Sequence, residues 1–191
     1  MTGPAPALVA RTISVGETRD LAAAVAGLAE PGDLVLLAGD LGAGKTAFAQ
    51  GFGAGLGVTE QITSPTFTLA QQYQGRLIMH HLDVYRLDQL GEVAELGLSE
   101  LLDDEGVVLI EWGDAILPVL PNDYLEVRLG FDLGADASDD ERRLELRSIG
   151  RRWVHRQISL LHALAPWAEA PAGRPANPPP HEAGSAEGAP C

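Results

Sequence analysis

Eight consecutive residues, Gly39-Asp40-Leu41-Gly42-Ala43-Gly44-Lys45-Thr46, satisfy the pattern G-x-x-x-x-G-K-[ST]. Glycines at this spacing let a backbone bend until several amide N–H groups converge on one point, where phosphate oxygens can accept from them. Lys45, a compact ammonium on a flexible stem, would neutralise the β and γ phosphates of a nucleoside triphosphate. The Thr46 hydroxyl would ligate Mg²⁺, and Ala47 completes the expected nucleotide-binding run. A chance glycine-rich turn is the alternative, and the expected strand before it and helix after it argue against that. Lys45 is also the only lysine among thirteen basic residues. A genome that favours arginine codons would explain the scarcity but not the position.

Such a site also needs carboxylates to hold the metal's water shell and orient an attacking water. Two acids close apolar runs: Asp83 ends residues 77–83, and Glu111 ends residues 107–111 in the hydrophobic-strand-then-acid form of a Walker B element. In open α/β sheets the strand C-termini flank the ligand crevice, so both would face the site. For either one the competing explanation is a solvated acid at a strand end. Guanine recognition through an N-K-x-D element needs a lysine, and the single lysine is already committed. ATP is therefore the expected nucleotide. His80 and His81 are neighbours on one expected strand, so their side chains face opposite ways and cannot chelate one metal together.

The elements that must position these groups follow from periodicity. Residues 11–15 suit a short strand, and a helix is expected from Thr18 with Leu21, Val25 and Leu28 on one face. Residues 34–38 form the apolar run of a strand covered on both faces. A helix from Lys45 to about Ala54 would bury Phe48 and Phe52, with Gly53, Gly55 and Gly57 as breakers. Residues 66–73 and 77–83 suggest a hairpin around Gly75, and helical turns are expected between Leu90 and Leu102. Residues 124–131 and 143–149 alternate as antiparallel strands would. A last helix from about Gly150 to Leu164 would bury Val154, Ile158 and Leu161 and leave Arg151, Arg152, His155 and Arg156 outward. The implied fold is α/β: a three-layer P-loop NTPase fold with a mixed, mainly parallel sheet and antiparallel strands at one side. Residues 1–10 are expected to be a flexible N-terminus, 11–165 the ATPase domain, and 166–191 a disordered Pro-rich tail holding seven of thirteen prolines.

Composition narrows the setting. No run reaches the roughly 18 apolar residues of a membrane span, and no basic residue precedes the apolar N-terminus as in a secretory signal. A soluble, cytoplasmic protein without a membrane is expected. The one cysteine, Cys191, excludes an internal disulfide framework. A net charge of −14 repels phosphate backbones, so any RNA would be held by a partner. Arg142, Arg143, Arg147, Arg151, Arg152 and Arg156 could form a docking face or simply a solvated one.

Four segments together carry a resemblance: the phosphate loop, Ser64-Pro-Thr-Phe-Thr-Leu69, His81-Leu-Asp-Val-Tyr-Arg-Leu87 and Ile110-Glu-Trp112. In order and spacing the chain resembles the bacterial tRNA threonylcarbamoyladenosine biosynthesis ATPases of the TsaE family, the YjeE-type P-loop ATPases. The likeness is strong over residues 15–112 and weaker to about Leu164. It implies an accessory ATPase whose hydrolysis supports turnover of a complex with TsaB-like and TsaD-like proteins. That complex attaches threonylcarbamoyl to adenosine beside the tRNA anticodon, and tRNA would be reached only through it. Carried over by position, Thr46 and Glu111 would ligate Mg²⁺, Asp83 would help place water near the γ-phosphate, and Lys45 would complete the catalytic set. Residues 64–68 resemble a switch in which Thr66 senses the γ-phosphate, with an ordinary strand lead-in as the alternative. Trp112 would cap the site or merely pack. Tyr85 and Arg86 would contact a partner or phosphate, or lie on the surface. Val15 and Thr18 would border the base, and Arg142 would reach the nucleotide. The family commonly continues Ile-Glu-Trp with proline, whereas Gly113 and Asp114 follow here, which puts the local turn in question but not Glu111. A small-molecule kinase of the P-loop class and a non-hydrolysing nucleotide-gated module are the competing functions.

Overall fold

The computed structural model describes residues 7–65, 68–85, 100–101, 106–132 and 138–169. Expectations for residues 1–6, Thr66, Arg86, most of 90–102 and the tail from residue 170 lie outside the described residues. Seven described strands make one sheet: β1 (Leu8–Thr12), β2 (Asp33–Ala38), β3 (Ala70–Tyr73), β4 (Ile78–Asp83), β5 (Gly106–Glu111), β6 (Tyr124–Phe131) and β7 (Arg142–Ile149). Their spatial order is β1-β7-β6-β2-β5-β4-β3. The four central strands, β6, β2, β5 and β4, run parallel. β3 pairs antiparallel with β4, and β7 and β1 continue antiparallel from β6. The sheet is mixed and mainly parallel in direction as expected, with β7 and β3 the two reversed strands, one towards each side, and with β6 itself parallel to β2.

Every residue of β2 and β5 is buried, which explains their unbroken apolar runs. On one face Val35, Leu37, Val107 and Leu109 pack against helices α1 (Val15–Ala26) and α2 (Lys45–Gly55). On the other, Leu34, Leu36, Val108 and Ile110 pack against Ile116 and Leu120 from the 3-10 segment Gly113–Val119 and its end.

The first strand lies earlier than expected, at Leu8–Thr12, and the helix begins at Val15. Ser14 explains the shift. Its hydroxyl accepts the Glu17 amide at 3.1 Å while the Glu17 carboxylate reaches back to accept the Ile13 amide at 2.9 Å, so Ser14 and Glu17 together close the helix start, as in a capping box shifted by one residue. Nor do Gly53 and Gly55 break α2. A Cβ on Gly51 would overlap the Arg19 backbone, and one on Gly55 would come within 2.7 Å of the Ala23 Cα, so these glycines let α1 and α2 touch. Only Gly57, at φ +80°, stands beyond the helix end.

The expected last helix is two, α3 (Arg152–His155) and α4 (Gln157–Leu164), and the buried face is a different one. Trp153, Leu160 and Leu164 are buried, whereas Ile158 is 70% exposed and Val154 and Leu161 also face out. The break is at Arg156, which turns inward. Its guanidinium donates to both oxygens of the fully buried Asp33 at 2.7 and 2.6 Å, and to the Leu28 carbonyl at 2.6 Å. The Asp123 carboxylate caps α3 by accepting the Arg151 and Arg152 amides at 3.2 Å. That offsets the unfavourable arginines at a helix start. Past the expected domain end the chain rejoins β1, with the Glu169 amide donating to the Val9 carbonyl at 3.0 Å.

Candidate nucleotide site

β2 ends at Ala38, and the loop turns back through Gly39, Gly42 and Gly44, all at positive φ, into α2. Gly39 is doubly constrained, since φ is +135° and a Cβ would overlap the Leu129 carbonyl oxygen. The N-cap of α2, Gly44, has no side chain to offer, so among the described residues the first amides of the helix are left without a side-chain cap. The loop's outer carbonyls are held from β7. Arg142 donates from Nε to the Ala43 carbonyl at 3.1 Å and from Nη2 to the Gly42 carbonyl at 3.3 Å, and its Nη1 donates to the Asp139 and Glu141 carbonyls. Arg142, expected at the nucleotide, thus braces the loop from behind.

A cavity of about 400 Å³ opens in front. Leu41, Gly42, Gly44, Lys45, Thr46 and Ala47 form one wall, and Ser64, Asp83, Tyr85, Glu111 and Trp112 the other. Gly39 and Asp40 do not line the cavity themselves but hold Lys45. Their carbonyls accept from the Lys45 ammonium at 2.6 and 2.8 Å, which also lies 3.4 Å from the centroid of the Trp112 ring. Burial lowers the Lys45 pKa, opposed by Glu111, Asp114, Asp83 and Asp40. An ammonium in this state gains from any further negative charge.

The parallel register sets Asp83 directly beside Glu111 at the strand ends. Neither is a solvated terminus, since each is only 3% exposed. The Thr46 hydroxyl donates to Glu111 Oε2 at 3.1 Å, joining the loop's helix to β5. Asp83 accepts from the Ser64 hydroxyl at 2.8 Å and from the Tyr85 amide at 3.0 Å, which ties the segment after α2 to the same edge. Thr66, the expected sensor in that segment, lies outside the described residues.

Trp112 lines the cavity and also packs against the core. It holds φ at +63°, a region rarely adopted by a bulky side chain, and its ring meets Tyr85 at 4.7 Å between centroids. The chain then enters the 3-10 segment at Gly113, where a Cβ would come within 3.0 Å of Leu36, so this chain's glycine fits a tight turn. Val15 and Thr18 do not line the cavity: Val15 is exposed, and buried Thr18 exchanges a hydrogen bond with Thr12 at 2.8 Å. Sequence reasoning missed Ser64 as an Asp83 partner. It also missed His81, whose Nε2 lies 3.0 Å from Glu111 Oε1. The alternation that turned His81 away from His80 was the available signal, because it placed His81 on the face of Asp83.

A model of the family described as threonylcarbamoyl adenosine biosynthesis protein TsaE matches residues 12–141. The chain is 42% identical over 144 residues to the tRNA threonylcarbamoyladenosine biosynthesis protein TsaE of Bacillus subtilis (strain 168), covering 75% of this chain and 87% of that one. It is 38% identical over 148 residues to the protein of the same name from Streptomyces coelicolor, covering 75% and 98%. The crystal structure of Bacillus subtilis YdiB matches with a TM-score of 0.71 at 36% identity, over 85% of this chain and 98% of that one. The match takes in the loop, both strand-end carboxylates and the strands that align them, and with well over half of its residues inside it the chain belongs to the TsaE family.

Proposed function

We propose that this chain is a cytoplasmic, Mg²⁺-dependent ATPase that serves tRNA threonylcarbamoyladenosine synthesis by acting on a complex of partner proteins. The observation that carries the reading is the Thr46–Glu111 hydrogen bond at the mouth of the glycine loop, with Lys45 and Asp83 beside it. A hard cation takes oxygen ligands and keeps several waters, which suits one hydroxyl, one carboxylate and a neighbouring acid. Bound Mg²⁺ would neutralise phosphate charge. Thr46 and Glu111 would hold it, Lys45 would balance the terminal phosphates, and Asp83 would orient water. ATP is favoured because no second lysine exists for an N-K-x-D guanine contact. The −14 net charge favours work on a protein complex over a direct grip on tRNA.

The test is phosphate release by the purified chain with Mg²⁺, alone and with the partner proteins of the pathway. Slow turnover that rises on mixing is expected, and Glu111→Gln should lower the stimulated rate at least about tenfold by weakening the metal site. Phosphate appearing on a small acceptor would establish a kinase instead, and ATP binding without release in any mixture would establish a non-hydrolysing module.

A further inference from the structure

A buried carboxylate is oriented by the donors on its two oxygens, and Glu111 has a different donor on each. Thr46 occupies Oε2 at 3.1 Å, and His81 faces Oε1 at 3.0 Å. Carboxylate oxygens only accept, so His81 Nε2 carries the hydrogen and donates it. His81 is fully buried in β4, two residues before Asp83 and on the same sheet face, diagonal to Glu111 across the β4/β5 register. The Tyr73 ring packs 6.5 Å away. His81 Nδ1 has no hydrogen-bond partner among the described residues, so the polar contact that the ring makes through Nε2 is the one to Glu111. Leaving a polar atom unmatched in a buried place has a cost, and an apolar side chain of similar shape would avoid it. What the imidazole supplies in return is a fixed direction for Glu111.

We infer that His81 is a positioning residue for the metal site: its Nε2–H locks the Glu111 carboxylate so that the oxygen edge shared with Thr46 faces the cavity. The inference rests on the assignment of Glu111 and Thr46 to Mg²⁺ proposed above. Without the imidazole, Oε1 is buried and bare, and the carboxylate is free to rotate away from Thr46. Partners of this kind in other metal sites typically change metal affinity by about 10- to 100-fold.

The experiment compares His81→Phe, which keeps a ring in the core but removes the donor, with His81→Gln, which offers an amide hydrogen near the Nε2 position. Mn²⁺ is titrated, by the paramagnetic resonance of the free ion, into protein saturated with an unhydrolysable ATP analogue. Analogue binding in EDTA and thermal unfolding are measured beside it. For His81→Phe we expect Mn²⁺ affinity to fall about tenfold, with metal-free analogue affinity within about twofold of wild type and cooperative unfolding kept. His81→Gln should recover most of the loss. A merely structural role would move unfolding and metal-free binding together. Mn²⁺ affinity equal to wild type in the Phe variant, or a Gln variant as weak as the Phe variant, overturns the inference. If the Phe variant does not fold, His81→Leu replaces it in the same comparison. Wild-type protein that fails to bind the analogue at all removes the nucleotide reading itself, a result separate from any difference among the variants.

Discussion

Burial lowers the pKa of Lys45, and the carboxylates of Glu111, Asp114, Asp83 and Asp40 oppose that only in part. The free protein therefore carries this ammonium at a cost that is present while the lysine is charged and relieved as pH rises through its lowered pKa toward the ordinary lysine value. A polyphosphate would raise the pKa again. Nucleotide affinity is thus predicted to be flat below the free-state pKa of Lys45 and to fall as pH rises through it, with proton uptake on binding there. Calorimetry in buffers of different ionisation enthalpy measures both effects, and Lys45→Ala should lose at least about 100-fold in affinity, near 2.7 kcal/mol, together with the pH dependence. At this scale the loop was legible because its glycine spacing is local, and Asp83 and Glu111 because an acid ending an apolar strand is local too. His81, Ser64 and the inward role of Arg156 were not, since each depends on a partner far along the chain.

Elements show a similar division. Apolar runs announced β2 and β5, and the Phe48/Phe52 spacing announced α2, whereas α4 was assigned the wrong face because its buried residues Leu160 and Leu164 follow a break at Arg156. A period extrapolated across residues 150–164 cannot sense a phase change imposed by an ion pair with β2. The Ser14 cap was in principle readable, but strand alternation in residues 11–15 competed with it. Glycines in α2 misled for another reason: Gly55, like Gly51, lets α1 come close, and Gly53 makes room for Ile62 and Met79, contacts that no local rule reports. Gly51→Ala is accordingly predicted to push α2 off α1 and destabilise the domain by about 1–3 kcal/mol, seen as a lower urea midpoint. The Arg156–Asp33 pair makes a second prediction. Arg156→Ala strands a fully buried carboxylate and should cost about 3–5 kcal/mol. Adding Asp33→Asn to it should recover part of that loss, which chemical denaturation of the wild type and the two variants would measure.

Across the whole molecule, the chain's last third grips the strand that carries the phosphate loop at both ends. Arg156 holds Asp33 where β2 begins, and Arg142 holds the carbonyls of Gly42 and Ala43 just beyond where it finishes. β6 lies alongside in between, and the carbonyl of its Leu129 crowds Gly39. A chain shortened before Arg152 should lose Trp153, Leu160 and Leu164 from the core along with the Asp33 partner. It is predicted to fail to show cooperative thermal unfolding. No helix among the described residues is long and apolar enough to cross a membrane. A ribosome adds a temporal consequence. Residues 39–46 emerge early, yet their bracing from Arg142 and Arg156 is complete only after residue 156 has left the exit tunnel, so a nascent chain fixes the shape of this loop well after the loop itself has been made.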